Sequence, residues 1–150
     1  MTRFNPDAVF ILIGINDIVK QKSSELFQGN LLELVRRIRS TGAIPILQTY
    51  GKILYAPENE KYLLRYNKLP EYNAVIRQIA ADESIILIDH DRCWQENICD
   101  EQSLKYHMAE AIHPGGLGHL AMAKLIFKTL NISDPESFCC NPTGTPWSLA

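Results

Sequence analysis

Three short apolar runs punctuate the chain: Ala8–Ile13 (AVFILI), Ala43–Thr49 (AIPILQT) and Ser84–Asp89 (SIILID). Each is rich in Ile, Leu or Val and lacks apolar–polar alternation, as expected of parallel strands covered on both faces. Between them the apolar period lengthens. Phe27, Leu31, Leu34, Val35 and Ile38 recur at helical spacing, with Ser23 or Ser24 as the N-cap and Gly42 just past the end. Leu69, Tyr72, Val75, Ile76, Ile79 and Ala80 make a second helical stripe, whose first turn accommodates Pro70. The pattern predicts a third helix from about Gly116 to Leu130. The order β-α-β-α-β-α calls for an α/β fold: an open parallel sheet with right-handed crossovers.

Two stretches follow neither period. Tyr50 to Asn67 is a long connection after the second strand, carrying Tyr50, Tyr55, Tyr62 and Tyr66, with room for a short helix near Tyr62–Tyr66. Long loops at such a place often face substrate, although many are surface excursions. Tyr72 and Tyr66 are equally plausible as core. Asn131 to Ala150 is rich in Pro, Ser, Thr and Gly and reads as a weakly ordered tail after a domain spanning residues 1–130.

The 150 residues suffice for one domain. Composition is that of a globular protein, 46% hydrophobic and 21% charged. A net charge of −2 gives no basic field for nucleic acid, and no apolar run is long enough to span a bilayer. The N-terminal Met1-Thr2-Arg3-Phe4-Asn5-Pro6 has no apolar signal core, so the default expectation is cytoplasm. The four cysteines, Cys93, Cys99, Cys139 and Cys140, lack zinc-site spacing and are read as reduced, mostly structural thiols. His107, His113 and His119 are spaced six apart, which puts no two on one helix face and argues against a metal cluster. No glycine-rich nucleotide motif is present, and no cofactor is expected.

Two constellations carry chemistry. Gly14-Ile15-Asn16-Asp17 follows the first strand directly, at the sheet end where ligands bind in open parallel sheets. Gly14 permits a sharp turn or a close approach, and the Asn16 amide offers two N–H donors to an oxyanion. Asp17 is expected to brace this loop through backbone hydrogen bonds. The plain alternative is a strand-to-helix turn, because Gly, Asn and Asp all favour turns. The second constellation is Glu110-Ala111-Ile112-His113-Pro114-Gly115-Gly116-Leu117-Gly118-His119. Pro114 keeps His113 out of helical geometry, in a loop just ahead of a helix start. The positive helix end favours neutral imidazole, the form a general base needs. Glu110, three residues earlier, is placed to accept the other ring N–H and fix the tautomer. The plain alternative is a surface histidine in a turn. His119 is read as packing in the first turns of the last helix, and Asp89, in Asp89-His90-Asp91, as a helix cap or loop brace.

Together the two constellations resemble the SGNH or GDSL hydrolase superfamily, with its G-x-N-D block after the third strand and its D-x-x-H block before the last helix. The resemblance runs from Asn5-Pro6-Asp7 through Asp17 to roughly Leu130, with Glu71-Tyr72-Asn73-Ala74-Val75-Ile76-Arg77 and Ile85-Ile86-Leu87-Ile88-Asp89 similar to the family's late helix and strand. It implies a serine esterase acting on a carboxylic ester or thioester: Asn16 in the oxyanion hole, His113 as general base, Glu110 as its acidic partner where the family usually has Asp. Gly14, Asp17 and Tyr50 would shape the site. It also implies a three-layer α/β/α flavodoxin-like sheet of order 2-1-3-4-5.

The chain starts only a few residues before the G-x-N-D block, whereas the family's G-D-S block, with the nucleophile, comes earlier still. Ser23, Ser24, Ser40, Ser84, Ser103, Ser133, Ser137 and Ser148 all lack a G-D-S context. The expectation is therefore three strands of a normal five and a missing nucleophile segment, with which a signal peptide could also be lost. Ala8–Ile13 would then be an open edge prone to self-association. The partner is a small-molecule acyl ester. The competing readings are a catalytically silent remnant or interaction module, and an acyltransferase using the same residues.

Overall fold

The structure is a computed structural model that describes residues 4–137 and Cys140. Its elements are β1 (Ala8–Ile11), α1 (Ile15–Val19), α2 (Ser24–Ser40), β2 (Ile44–Gln48), α3 (Glu60–Asp82), β3 (Ile86–Ile88), α4 (His90–Asn97), α5 (Glu101–His107) and α6 (Gly116–Thr129). The strands form one parallel sheet in the order β1-β2-β3, with β1 at an edge. Phe10 pairs with Ile46, and Ile46 with Ile86. This is the α/β architecture the apolar runs predict, with strands shorter than the runs.

Helix α2 begins where Ser23 accepts the Leu26 amide, so Ser23 is the cap. Its stripe of Phe27, Leu31, Val35 and Ile38 is buried against the sheet face carrying Val9, Ile11, Leu47 and Leu87. The opposite face departs from expectation. Ile46 and Ile88 are buried there and α6 packs along β3, but Phe10 is 46% exposed, Ile44 55% and Ile86 42%. Only part of the sheet is covered on both sides.

The second predicted helix is longer than its stripe suggested. α3 is a single 23-residue helix with Pro70 in its interior rather than in its first turn. An interior proline costs roughly 3 kcal/mol in a helix. What outweighs it is a buried stripe continuous across the break: Arg65, Leu69, Tyr72, Asn73, Ile76, Ile79 and Ala80. Asn59 starts the helix by accepting the amides of Lys61 and Tyr62. Tyr72 is core, while Tyr55 and Tyr66 are exposed and stack edge to face at 5.1 Å.

Helices α1, α4 and α5 have no counterpart in the apolar pattern. Asp89 caps α4 and Asp100 caps α5. They enclose a second core of Cys93, Trp94, Ile98, Leu104 and Met108 with Ala121 of α6. Asp89 is thus a helix cap, and it is also a brace: Arg77 grips it at 2.7 and 2.8 Å and Thr49 donates to it at 2.9 Å. Cys93, Cys99 and Cys140 are free thiols. Phe138, Cys139 and residues 141–150 of the expected tail lie outside the described residues.

Candidate active site

The first constellation sits where β1 ends. Gly14 is buried and adopts φ +114°, which an L side chain rarely tolerates. A Cβ there would press on the Phe27 ring at 3.1 Å and the Tyr72 ring at 3.2 Å. The sharp exit from β1 therefore needs glycine, and it places Asn16 in the opening turn of the short helix α1. Asp17 braces the turn through its main chain, donating to Gly14 O at 2.9 Å and accepting from Lys22 at 3.1 Å. Among the described residues no hydrogen bond reaches its carboxylate.

Asn16 is exposed, but its amide has a fixed partner. Arg65 of α3 is 9% exposed and donates from Nη2 to Asn16 Oδ1 at 3.2 Å and from Nε to Ile15 O at 3.3 Å. A guanidinium has only donors, so this contact defines which end of the Asn16 amide faces it. Both Asn16 N–H groups are left without a partner among the described residues.

The second constellation is a tight loop between α5 and α6. Ala109 donates to His113 O at 2.9 Å and Gly115 to His107 O at 2.8 Å. The connection after β2 fastens the loop from outside: the Tyr50 hydroxyl donates to Ile112 O at 3.3 Å and the Leu54 amide to Ala111 O at 2.8 Å. Tyr50 is itself held at both main-chain groups by the buried Asn73 side chain. Within the loop His113 Nδ1 bonds Glu110 Oε1. The Tyr62 hydroxyl donates to the other carboxylate oxygen, Oε2, at 2.8 Å. Partial burial alone would raise the Glu110 pKa; the Tyr62 and His113 bonds outweigh it and hold the carboxyl below its ordinary range.

The two constellations are thus connected through α3. Arg65 holds Asn16, Tyr62 holds Glu110, and the Arg65 guanidinium lies 5.9 Å from the Tyr62 ring centroid. Beside His113 is an apolar cavity of about 160 Å³ lined by Leu12, Tyr50, Trp94, Ile112 and Met122. His119 borders it too, and is exposed rather than packed. The sequence pattern offers Tyr62 only as one of four tyrosines in a long connection and does not single out Arg65. The available signal was an arginine in register with an apolar helical stripe, a position where a charged residue is buried only if it is paired.

Among the described residues no serine donates to His113. Ser23 caps α2, Ser40 donates to Arg37 O within α2, and Ser103 donates to Asp100, the cap of α5. No group of three His, Cys, Asp or Glu among the described residues is placed to hold a metal ion, and no described helix is long and apolar enough to cross a membrane.

The sequence profile of the GDSL-like lipase/acylhydrolase family matches residues 1–121. No curated protein matches in sequence. Among solved structures, the chain is similar to a GDSL-like lipase from Bacteroides thetaiotaomicron VPI-5482, at 19% identity and TM-score 0.71 over 87% of this chain and 65% of that one. It is similar to an alpha/beta hydrolase enzyme from the metagenome of Lake Arreo, Spain, at 23% identity and TM-score 0.71 over 88% and 63%. An acetylxylan esterase from Geobacillus stearothermophilus matches at 22% identity and TM-score 0.69 over 85% and 61%. At these identities the likeness speaks to the fold. The chain spans less than two thirds of the length of each of these structures.

Proposed function

Because the chain belongs to the GDSL-like lipase/acylhydrolase family, we propose that it supplies the base and oxyanion half of a serine ester hydrolase, the nucleophilic serine coming from outside its 150 residues. The observation that carries this reading is the linkage of Asn16 to the Glu110–His113 pair through Arg65 and Tyr62 of one helix. The pair is built for proton transfer. Glu110 accepts from Nδ1, so neutral His113 presents a bare Nε2. As a serine Oγ attacks an ester or thioester carbonyl, Nε2 takes its proton. The carbonyl oxygen becomes an oxyanion facing the Asn16 N–H donors, and the proton passes to the departing alkoxide or thiolate. Water then attacks the acyl-serine by the same route, giving the acid and free serine. A second acceptor in place of water would make the same residues an acyltransferase.

The test is covalent labelling. A serine-directed fluorophosphonate is expected to leave the 150-residue chain unmodified. A protein extended at its N-terminus by a strand and loop carrying the G-D-S block should label at that serine and hydrolyse a simple acyl ester. Stoichiometric labelling of the present chain at one serine would mean that the nucleophile already lies within it. An extended protein that folds, neither labels nor turns over, would favour a silent interaction module.

A further inference from the structure

We infer that Tyr62 and Arg65, one turn apart on α3, are a pair of positioning residues that set the two halves of the ester site from a single rigid element: Arg65 aims the Asn16 amide and Tyr62 pins the Glu110 carboxylate on His113. The inference rests on the proposed roles of Asn16, Glu110 and His113.

The geometry of Arg65 is that of a fork used for orientation. One arm takes the main-chain oxygen of Ile15 and the other the side-chain oxygen of the next residue, Asn16. Free asparagine amides interconvert by rotation about χ2, presenting oxygen or N–H₂ to a given point. An oxygen held by a donor-only group sends the N–H₂ outward, where a developing oxyanion needs it. The cost of burying this guanidinium is offset because it is hydrogen-bonded there.

Tyr62 answers a different need. Glutamate has one more rotatable bond than the aspartate usual at this place, so its carboxylate is less confined by the backbone. Glu110 is also partly exposed, with side-chain solvent accessibility of 39%. Without Tyr62 the carboxylate would keep His113 and a lesser contact with the Ile112 main chain, both within its own loop, and nothing outside the loop would hold it. The Tyr62 hydroxyl takes the second oxygen at 2.8 Å and leaves Oε1 on Nδ1. Spacing of three residues puts both side chains on one helix face, and the buried stripe of Arg65, Leu69, Tyr72 and Ile76 orients α3 against the rest of the fold.

The test needs no ester and no nucleophile. In the ¹⁵N-labelled chain, the two ring nitrogens of neutral His113 report its tautomer by NMR. The Nδ1–H form is expected to dominate in the parent chain. Tyr62→Phe removes one oxygen and should shift the population toward Nε2–H; Glu110→Ala marks complete loss of the carboxylate's influence. In parallel, ¹⁵N relaxation of the Asn16 side-chain amide should show a lower order parameter in Arg65→Met. Arg65→Lys keeps the charge but lacks the fork, and should lower it by less; it also serves if Arg65→Met does not fold. An unchanged tautomer in Tyr62→Phe, or an unchanged Asn16 order parameter in the folded Arg65 variants, overturns the inference. If both respond but the extended protein neither labels nor turns over, the clamp stands and the hydrolase reading falls. If neither responds while the extended protein is active, the reverse holds.

Discussion

Gly118, in the first turn of α6, lies against the main-chain oxygen of His107 so closely that a Cβ added to it would fall far inside van der Waals contact. The same Cβ would meet Pro114 Cβ at 2.9 Å and the Trp94 ring at 3.2 Å. The His107 oxygen already accepts from Gly115 and cannot retreat without opening the turn that holds His113.

Gly118→Ala should therefore destabilise the protein. Alanine is worth up to about 1 kcal/mol over glycine in a helix, and overpacking typically costs about 1–3 kcal/mol. A backbone atom is the obstacle, so the upper end applies and the net effect is a loss. Urea unfolding should give a lower midpoint with an unchanged slope. A raised midpoint would show that the α5–α6 turn can open freely.

His90 gives the fold a pH dependence. It is fully buried, its Nε2 lies 3.0 Å from Gln48 Oε1, and its Nδ1 has no partner. Burial pushes its pKa down to about 4, against a weaker upward pull from Asp89. The unfolded chain takes up this proton below about pH 6.5 while the folded chain resists it until about pH 4. Stability is thus present in full above pH 6.5 and is lost as pH falls through that window. The loss by pH 5 is on the order of 2 kcal/mol. Unfolding free energies measured at intervals from pH 7 to 5 should fall, and the part due to His90 should be absent in His90→Gln. Parallel curves for the two proteins would assign the loss to other groups.

The strand edge yields an association test. Among the described residues β1 has no neighbour on its outer side, and Phe10, Ile44 and Ile86 leave apolar surface on the open face. Such an edge is a template for pairing with another chain. Sedimentation should show concentration-dependent self-association, and Phe10→Lys, which places a charge on the edge strand, should suppress it. A monodisperse monomer across concentrations would contradict this.

How much of this was legible beforehand follows the physics of each signal. β1, β2, β3 and α2 each carry a contiguous or periodic apolar set, and such sets are visible in the residues themselves even where the fold leaves some members exposed. Glu110 and His113 are three residues apart in one loop, so their pairing is local and readable. Helices α4 and α5 are short and largely polar, held by the caps Asp89 and Asp100 and by a core whose members come from several elements. The passage of α3 through Pro70 was hidden because local propensity argues for a break, and only packing on both sides of it decides otherwise. Arg65 and Tyr62 act across nearly fifty residues in each direction. No spacing rule reaches that far, and their contacts appear only when the fold brings α3 beside both constellations.

The sharpest activity prediction concerns Asn16 in the protein extended by a G-D-S segment. Removing one oxyanion donor from a serine hydrolase costs about 10²–10³ in kcat. Asn16→Ala should therefore lower turnover on a simple acyl ester by on the order of 10²-fold. Fluorophosphonate labelling should persist, because the serine and the Glu110–His113 pair are untouched. Asn16 is exposed and its one described side-chain partner is Arg65, so the loss should come without a large change in stability. A fall in kcat with KM little altered is the pattern of an interaction made mainly in the transition state. A change confined to KM would place Asn16 in substrate binding instead. Unchanged kinetics would remove it from the oxyanion site, and would leave the Arg65 fork as a purely structural tie between α1 and α3.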